Sequence, residues 1–133
     1  MEIKVNIQSK HNGKFAVNCA SSNKTFNVDV SKDTSLLEGP NPLEVFLSAL
    51  GSCISVYAEK YLTQHSIEFK NLKAEATAEF STESPSRLIN IKVKVSTDAK
   101  LNKEAKEIFF RFMKNCPVHN TIIYTKEIDI SVE

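Results

Sequence analysis

The sequence predicts an α+β fold: antiparallel sheets, a long central helix bearing Cys53, and a second helix before Cys116. Three observations lead there. Short runs with an apolar residue at every second position fill the first thirty residues and recur between 72 and 95. A stretch from Asn41 to about Thr63 instead repeats its apolar residues at three- and four-residue spacing. No repeat, low-complexity tract or linker interrupts the order, and 133 residues suit one domain spanning 1–133.

The elements follow in order. Ile3, Val5 and Ile7 alternate with polar residues, as do Phe15, Val17 and Cys19, and then Phe26, Val28 and Val30. Period two is the mark of a half-buried strand. His11-Asn12-Gly13 and Ser21-Ser22-Asn23 carry turn chemistry, so these runs are expected to form an antiparallel meander. After the loop Glu38-Gly39-Pro40, Asn41 suits a helix N-cap. Pro42 suits the first helical position, where its missing N–H costs nothing, and Glu44 can reach back to the cap. Leu43, Phe46, Leu47, Leu50, Ile54, Tyr57, Ala58 and Tyr61 continue at helical spacing. A helix apolar on several sides is expected to be central and to pack against a second copy of itself.

Leu72 to Phe80 and Ile89 to Val95 alternate again and predict two strands, joined by a hairpin loop from Thr82 to Ser86 that contains Pro85. A second helix is expected from about Asn102 to Lys114, burying Ala105, Ile108, Phe109, Phe112 and Met113. Cys116-Pro117 then opens a short helical turn to about Ile122, and Ile128, Ile130 and Val132 predict a last strand.

Composition narrows the function classes. Hydrophobic residues make up 41% and charged residues 25%, ordinary values for a globular chain. Seventeen basic and sixteen acidic residues leave a formal net charge of +1. That balance, without a basic stripe, gives no reason to expect nucleic acid or a membrane surface as partner. Met1 to Gln8 alternates instead of forming an apolar run, and no stretch approaches a membrane span. The expectation is a cytoplasmic protein. No phosphate-binding glycine loop, nucleophile-elbow serine or HExxH pair occurs, and no cofactor is implied.

The chemistry therefore rests on three cysteines, Cys19, Cys53 and Cys116. Cys53 shares a helix face with Phe46, Leu50 and Tyr57, three or four residues away. It reads either as a core thiol or as a nucleophile in an apolar pocket. It is about three turns from the helix start, too far for the helix dipole to decide. Cys116 is different. Pro117 at a first helical position makes Cys116 the N-cap, where a thiolate would meet free backbone N–H groups. His119 stands three residues on, and a histidine can deprotonate a thiol. Cys-x-x-His is also half a zinc site, but no second close pair exists, so no metal is expected. Cys19 points inward from a strand and reads as structural.

The run GPNPLEVFLSALGSC, Gly39 to Cys53, followed sixty-three positions later by Cys116 in NCPVHNTI, resembles the OsmC/Ohr family. The resemblance extends to the order of elements. It implies an intertwined homodimer with active sites at the interface. It also implies a peroxidatic role for Cys53, a resolving role for Cys116, a small organic hydroperoxide as substrate, and a dithiol reductant of lipoyl or thioredoxin-like type. Phe46, Leu50 and Tyr57 would line the substrate pocket. The best-understood branch activates its cysteine with an arginine from the N-terminal strands and a glutamate early in the central helix. Here the first arginine is Arg87, and Leu43 stands ten positions before Cys53, with Glu44 next to it. The similarity is thus to a branch without that arginine, which leaves Glu44, Lys14, Arg111 and His119 as candidate activating or orienting groups. Two other functions stay open: a thiol-based redox protein with another substrate, and a non-enzymatic dimer that binds an apolar ligand.

Overall fold

The computed structural model describes all 133 residues, Met1 to Glu133. Its strands and helices run β1 (Val5–Ser9), β2 (Lys14–Cys19), β3 (Lys24–Asp29), α1 (Pro42–Gln64), β4 (Leu72–Phe80), β5 (Leu88–Thr97), α2 (Lys103–Met113) and α3 (Pro117–Tyr124). The chain divides into two compact units, Met1–Phe46 and Leu47–Glu133. No helix is long and apolar enough to cross a membrane.

The first unit is the expected meander. β1 and β3 flank β2, both antiparallel to it, and Ile7, Val17 and Phe26 lie side by side across the strands. The turns work because His11, Asn12, Gly13 and Asn23 take left-handed backbone angles that glycine and short polar residues accept most readily. One sheet face is apolar. Val5, Ile7, Phe15, Val17, Cys19, Phe26 and Val28 line a groove of about 490 Å³ that Pro42 and Val45 border. Ile7 remains 60% exposed and Val5 50%, so this face is only partly covered within the chain.

The loop after β3 is held by one carboxylate. Asp29 is 1% exposed. It accepts from Lys14 Nζ at 2.6 Å, from the Ser31 backbone N–H at 2.8 Å and from the Glu38 N–H at 2.9 Å, and the Ser31 hydroxyl adds a further bond. These partners hold its carboxyl below the usual range, the Lys14 ammonium first among them. The loop then closes on the sheet: the Asp29 N–H donates to the Pro40 carbonyl, and a Cβ on Gly39 would overlap the Asn27 carbonyl. Only glycine lets the chain pass there on its way into α1.

The start of α1 is a reciprocal capping box. Glu44 N–H donates to Asn41 Oδ1 at 2.9 Å, and Asn41 N–H donates to Glu44 Oε1 at 3.1 Å. Replacing such a cap costs typically about 1 kcal/mol. In the second unit, Gly51 brings α1 close to Ala76 of β4; a Cβ there would already sit at van der Waals distance, 3.5 Å from the Ala76 methyl. Ala58, Tyr61, Leu62 and Phe109 form the buried centre, joined by Leu72, Val95 and Phe112. Tyr61 stacks on His65 at 4.2 Å and tilts against Phe109 at 5.3 Å. α2 is capped by Asn102, whose side chain accepts from the Ala105 N–H at 2.8 Å.

Two expectations need correction. Residues 125–133 form no strand. Ile128, Ile130 and Val132 do alternate, but no strand of the chain pairs with them, and they stand 80%, 85% and 95% exposed. Alternation marks which side chains could be buried; a strand also needs a neighbour for its backbone groups. Ile108 is likewise exposed. It lies one residue, about 100° of helix rotation, from the buried Phe109.

Asp29 sets a test of the first unit. Because its folded-state carboxyl is held low, its stabilisation is complete above about pH 4, the ordinary aspartate range, and is lost progressively as pH falls below it. Asp29→Asn should therefore lower the urea midpoint at neutral pH, and the gap to the unsubstituted protein should narrow at about pH 2.5. A gap of equal size at both pH values would contradict this account.

Candidate functional site

Cys53 lies in the middle of α1, and Cys116 is the residue that turns α2 into α3. Three backbone bonds shape that turn. Lys114 N–H donates to Arg111 O at 3.2 Å, Asn115 N–H to Phe112 O at 3.0 Å and Cys116 N–H to Met113 O at 3.3 Å. They tighten the last turn of α2 and consume its orphan carbonyls. Cys116 then takes an extended conformation, Pro117 begins α3, and the Cys116 Sγ accepts the His119 N–H at 3.3 Å. The N-cap expected from Cys-Pro is present, with sulfur as the capping atom.

Cys53 lies near enough to influence the Cys116 thiol, although the residues are far apart in sequence. The pair is uneven: Cys116 is fully buried, at 0% exposure, whereas Cys53 is partly exposed. Burial pushes the Cys116 thiol up from its ordinary value, and Cys53 pushes it further. The N–H groups of His119 and Val118 pull the other way without overcoming this.

A cavity of about 470 Å³ lies in the same unit. α1 contributes Leu50 and Ile54, which bracket Cys53 in sequence. β5 contributes Ile91, Val93 and Val95, and α2 and α3 contribute Phe110, Met113, Lys114, His119, Ile122 and Ile123. The wall is apolar except at Lys114 and His119, and the Lys114 ammonium sits over the Phe110 ring at 4.4 Å.

The other candidate residues are distributed unevenly. Leu50 is in the cavity wall. Tyr57 packs its ring against Phe112, centroids 6.0 Å apart, and Phe46 is an exposed residue of the first unit. Glu44 is engaged in the capping box, and Lys14 is bound to Asp29, with Glu38 at 3.8 Å. Arg111 lies exposed in the last turn of α2. His119 reaches Cys116 through its backbone, while its ring nitrogen Nδ1 faces Asn120 Oδ1 at 3.3 Å. No three His, Cys, Asp or Glu side chains converge as metal ligands would. Sequence reasoning missed the β5 and α3 wall. Alternation in β5 announced a buried face, but not that α1 and α3 would share it. It also missed Asp29, whose only local sign is a serine two residues on, the spacing of an Asx turn.

The coupling of the two thiols can be tested by removing one. In Cys53→Ala, Cys116 loses two of the influences that raise it and should titrate at lower pH than in the intact pair. Alkylation rates of the Cys116 peptide against pH would show the midpoint. An unchanged or higher midpoint would contradict the influence of Cys53.

Comparison with known proteins agrees with this architecture. The family model described as "OsmC-like protein" matches residues 32–133. None of the curated proteins matches the chain. Among solved structures, an OsmC-like protein from Mycoplasma pneumoniae is 19% identical with a TM-score of 0.80, over 93% of this chain and 89% of that one. The organic hydroperoxide resistance protein OhrB of Bacillus subtilis is 13% identical with a TM-score of 0.64, over 91% and 90%. An organic hydroperoxide resistance protein OsmC from Legionella pneumophila is 15% identical with a TM-score of 0.63, over 92% and 89%. At these identities the likeness is one of fold. The family match covers well over half the chain, including both Cys53 and Cys116, and on that ground the chain belongs to the OsmC family.

Proposed function

We propose that the protein reduces organic hydroperoxides, with Cys53 as the attacking thiolate and Cys116 as the resolving thiol. The observation that carries this reading is the nearness of Cys53, on α1, to the buried Cys116, whose thiol it pushes up. The Cys53 thiolate attacks the distal peroxide oxygen. The O–O bond breaks, the alcohol leaves with a proton, and Cys53 becomes a sulfenic acid. The Cys116 sulfur then attacks the Cys53 sulfur, water departs, and a disulfide joins the pair. A dithiol restores both thiols and is itself oxidised to a disulfide.

The surroundings support an organic substrate. Leu50 and Ile54 on either side of Cys53 belong to an apolar wall that suits a hydrocarbon group better than a small polar peroxide. Three structural neighbours carry hydroperoxide resistance in their names. The cavity also favours a second reading, in which the protein holds an apolar ligand and performs no redox chemistry.

The working unit in this proposal is a homodimer, with both compact units of each chain acting as one domain. Ala49, Ser52 and Val56 form an exposed line along α1, three and four residues apart, against which a second α1 can pack closely. The uncovered face of the β1–β3 sheet and the unpaired 125–133 segment both call for a partner, the latter as an added strand.

Weighing the intact reduced protein before and after a small excess of cumene hydroperoxide separates the two readings. The peroxidase loses the mass of two hydrogens and links Cys53 to Cys116, and Cys53→Ser slows peroxide consumption at least about a hundredfold, as loss of a nucleophile does. An unchanged mass would leave the ligand-binding reading standing. For assembly, light scattering should give the mass of two chains, and Val56→Lys should shift it toward one; a one-chain mass for the unsubstituted protein would remove the dimer.

A further inference from the structure

The asymmetry of the cysteine pair assigns the two sulfur atoms different fates when the disulfide is reopened. We propose that the incoming reductant attacks the sulfur of Cys53, and that Cys116 is always the leaving group. This rests on the reading that the two cysteines form a redox pair, and it adds the direction of the reductive half of the cycle.

Two observations carry it. The first is access. Cys53 is partly exposed, whereas Cys116 is fully buried. A thiolate must approach a disulfide sulfur along the S–S axis, from the side opposite the sulfur that departs. Access and the identity of the attacked sulfur govern such exchanges together with leaving-group stability. The second is the cap. Cys116 Sγ already receives the His119 N–H at 3.3 Å, and Pro117 at the first helical position leaves the Val118 and His119 amides as the next free donors of α3. Charge left on Cys116 therefore meets fixed backbone donors that offset part of the cost of burying it, so access to Cys53 is the larger of the two effects. Cys53, mid-helix, has no free backbone donor, because the N–H groups there are used within α1.

The step balances as follows. A thiolate of the dithiol bonds to Cys53 Sγ, and the Cys53–Cys116 bond breaks. Its electron pair goes to Cys116 Sγ, which later takes up a proton. The mixed disulfide on Cys53 is then attacked by the second thiol of the reductant. That closes the reductant's own disulfide and releases Cys53. Two electrons have passed from the dithiol to the protein.

The pair can be closed with diamide, so the test does not depend on peroxide. The full-length oxidised protein is mixed with excess glutathione, the exchange is stopped with acid, and both cysteine peptides are mapped by mass. Glutathione should be found on Cys53 at least about tenfold more than on Cys116. A second measurement covers the case in which the mixed disulfide does not accumulate. Cys116→Ala loaded with glutathione at Cys53 should release it to dithiothreitol at least about tenfold faster than Cys53→Ala loaded at Cys116. Failure of Cys116 to load under conditions that load Cys53 supports the same asymmetry. Glutathione predominantly on Cys116, an even split, or equal release rates would overturn the proposal, as would failure of diamide to join the two residues. Closure by diamide but not by hydroperoxide would remove the peroxidase reading and leave this assignment intact.

Discussion

The second unit is organised around one buried sulfur atom. Cys116 ends the descent of α2, starts α3 and lies near Cys53 in the middle of α1, so a single side chain joins two helices and faces a third. The constraint acts in both directions. Pro117 cannot donate at the first position of α3, and the chain must leave Met113 by a tight turn before Cys116 can turn extended. Those two requirements aim Sγ at the amides of α3 and hold it against α1. A hydroxyl would cap the same helix. It could not bond covalently to Cys53, as the proposed cycle requires, so on that reading the cap and the chemistry place different demands on one atom, and a thiol meets both.

The first unit solves another problem with a charge. A three-stranded sheet of short strands is weakly stable unless one face is packed, and the apolar residues of the loop that returns from β3 to α1, Val30, Leu36 and Leu37, stay exposed. Asp29 gathers the Lys14 ammonium and the N–H groups of Ser31 and Glu38, binding a loop that hydrophobic burial does not secure. This occupies Lys14 within its own sheet. The apolar groove, the exposed line on α1 and the unpaired tail are three surfaces with the character of interiors. They are the surfaces that the proposed second copy would cover.

Much of this was legible in the sequence, and the reasons differ by element. β1 to β3 and the start of α1 could be read because their signals are local: alternation, turn residues, and an Asn-Pro-x-Glu cap within four positions. Cys116 as an N-cap was legible for the same reason. The nearness of Cys53 and Cys116 is legible only through the family resemblance, since no rule of spacing relates residues sixty-three apart. The tail differs from its pattern because alternation reports what side chains favour, while strand formation depends on backbone partners, and the chain's own sheets offer it none. The cavity wall was missed because periodicity identifies apolar faces and does not say which faces meet.

A last step concerns charge. Neighbouring thiols that ionise together repel, so the charge of one opposes ionisation of the other. Burial and Cys53 both favour the protonated form of Cys116. On the proposed cycle this order is useful. While Cys53 awaits peroxide, burial and Cys53 hold Cys116 toward its protonated form. Once Cys53 has become a neutral sulfenic acid, its charge no longer opposes ionisation of Cys116, and the amides of Val118 and His119 remain in place to favour it. Oxidation of the first cysteine thus removes part of what kept the second one protonated, and no arginine is needed to time the second step.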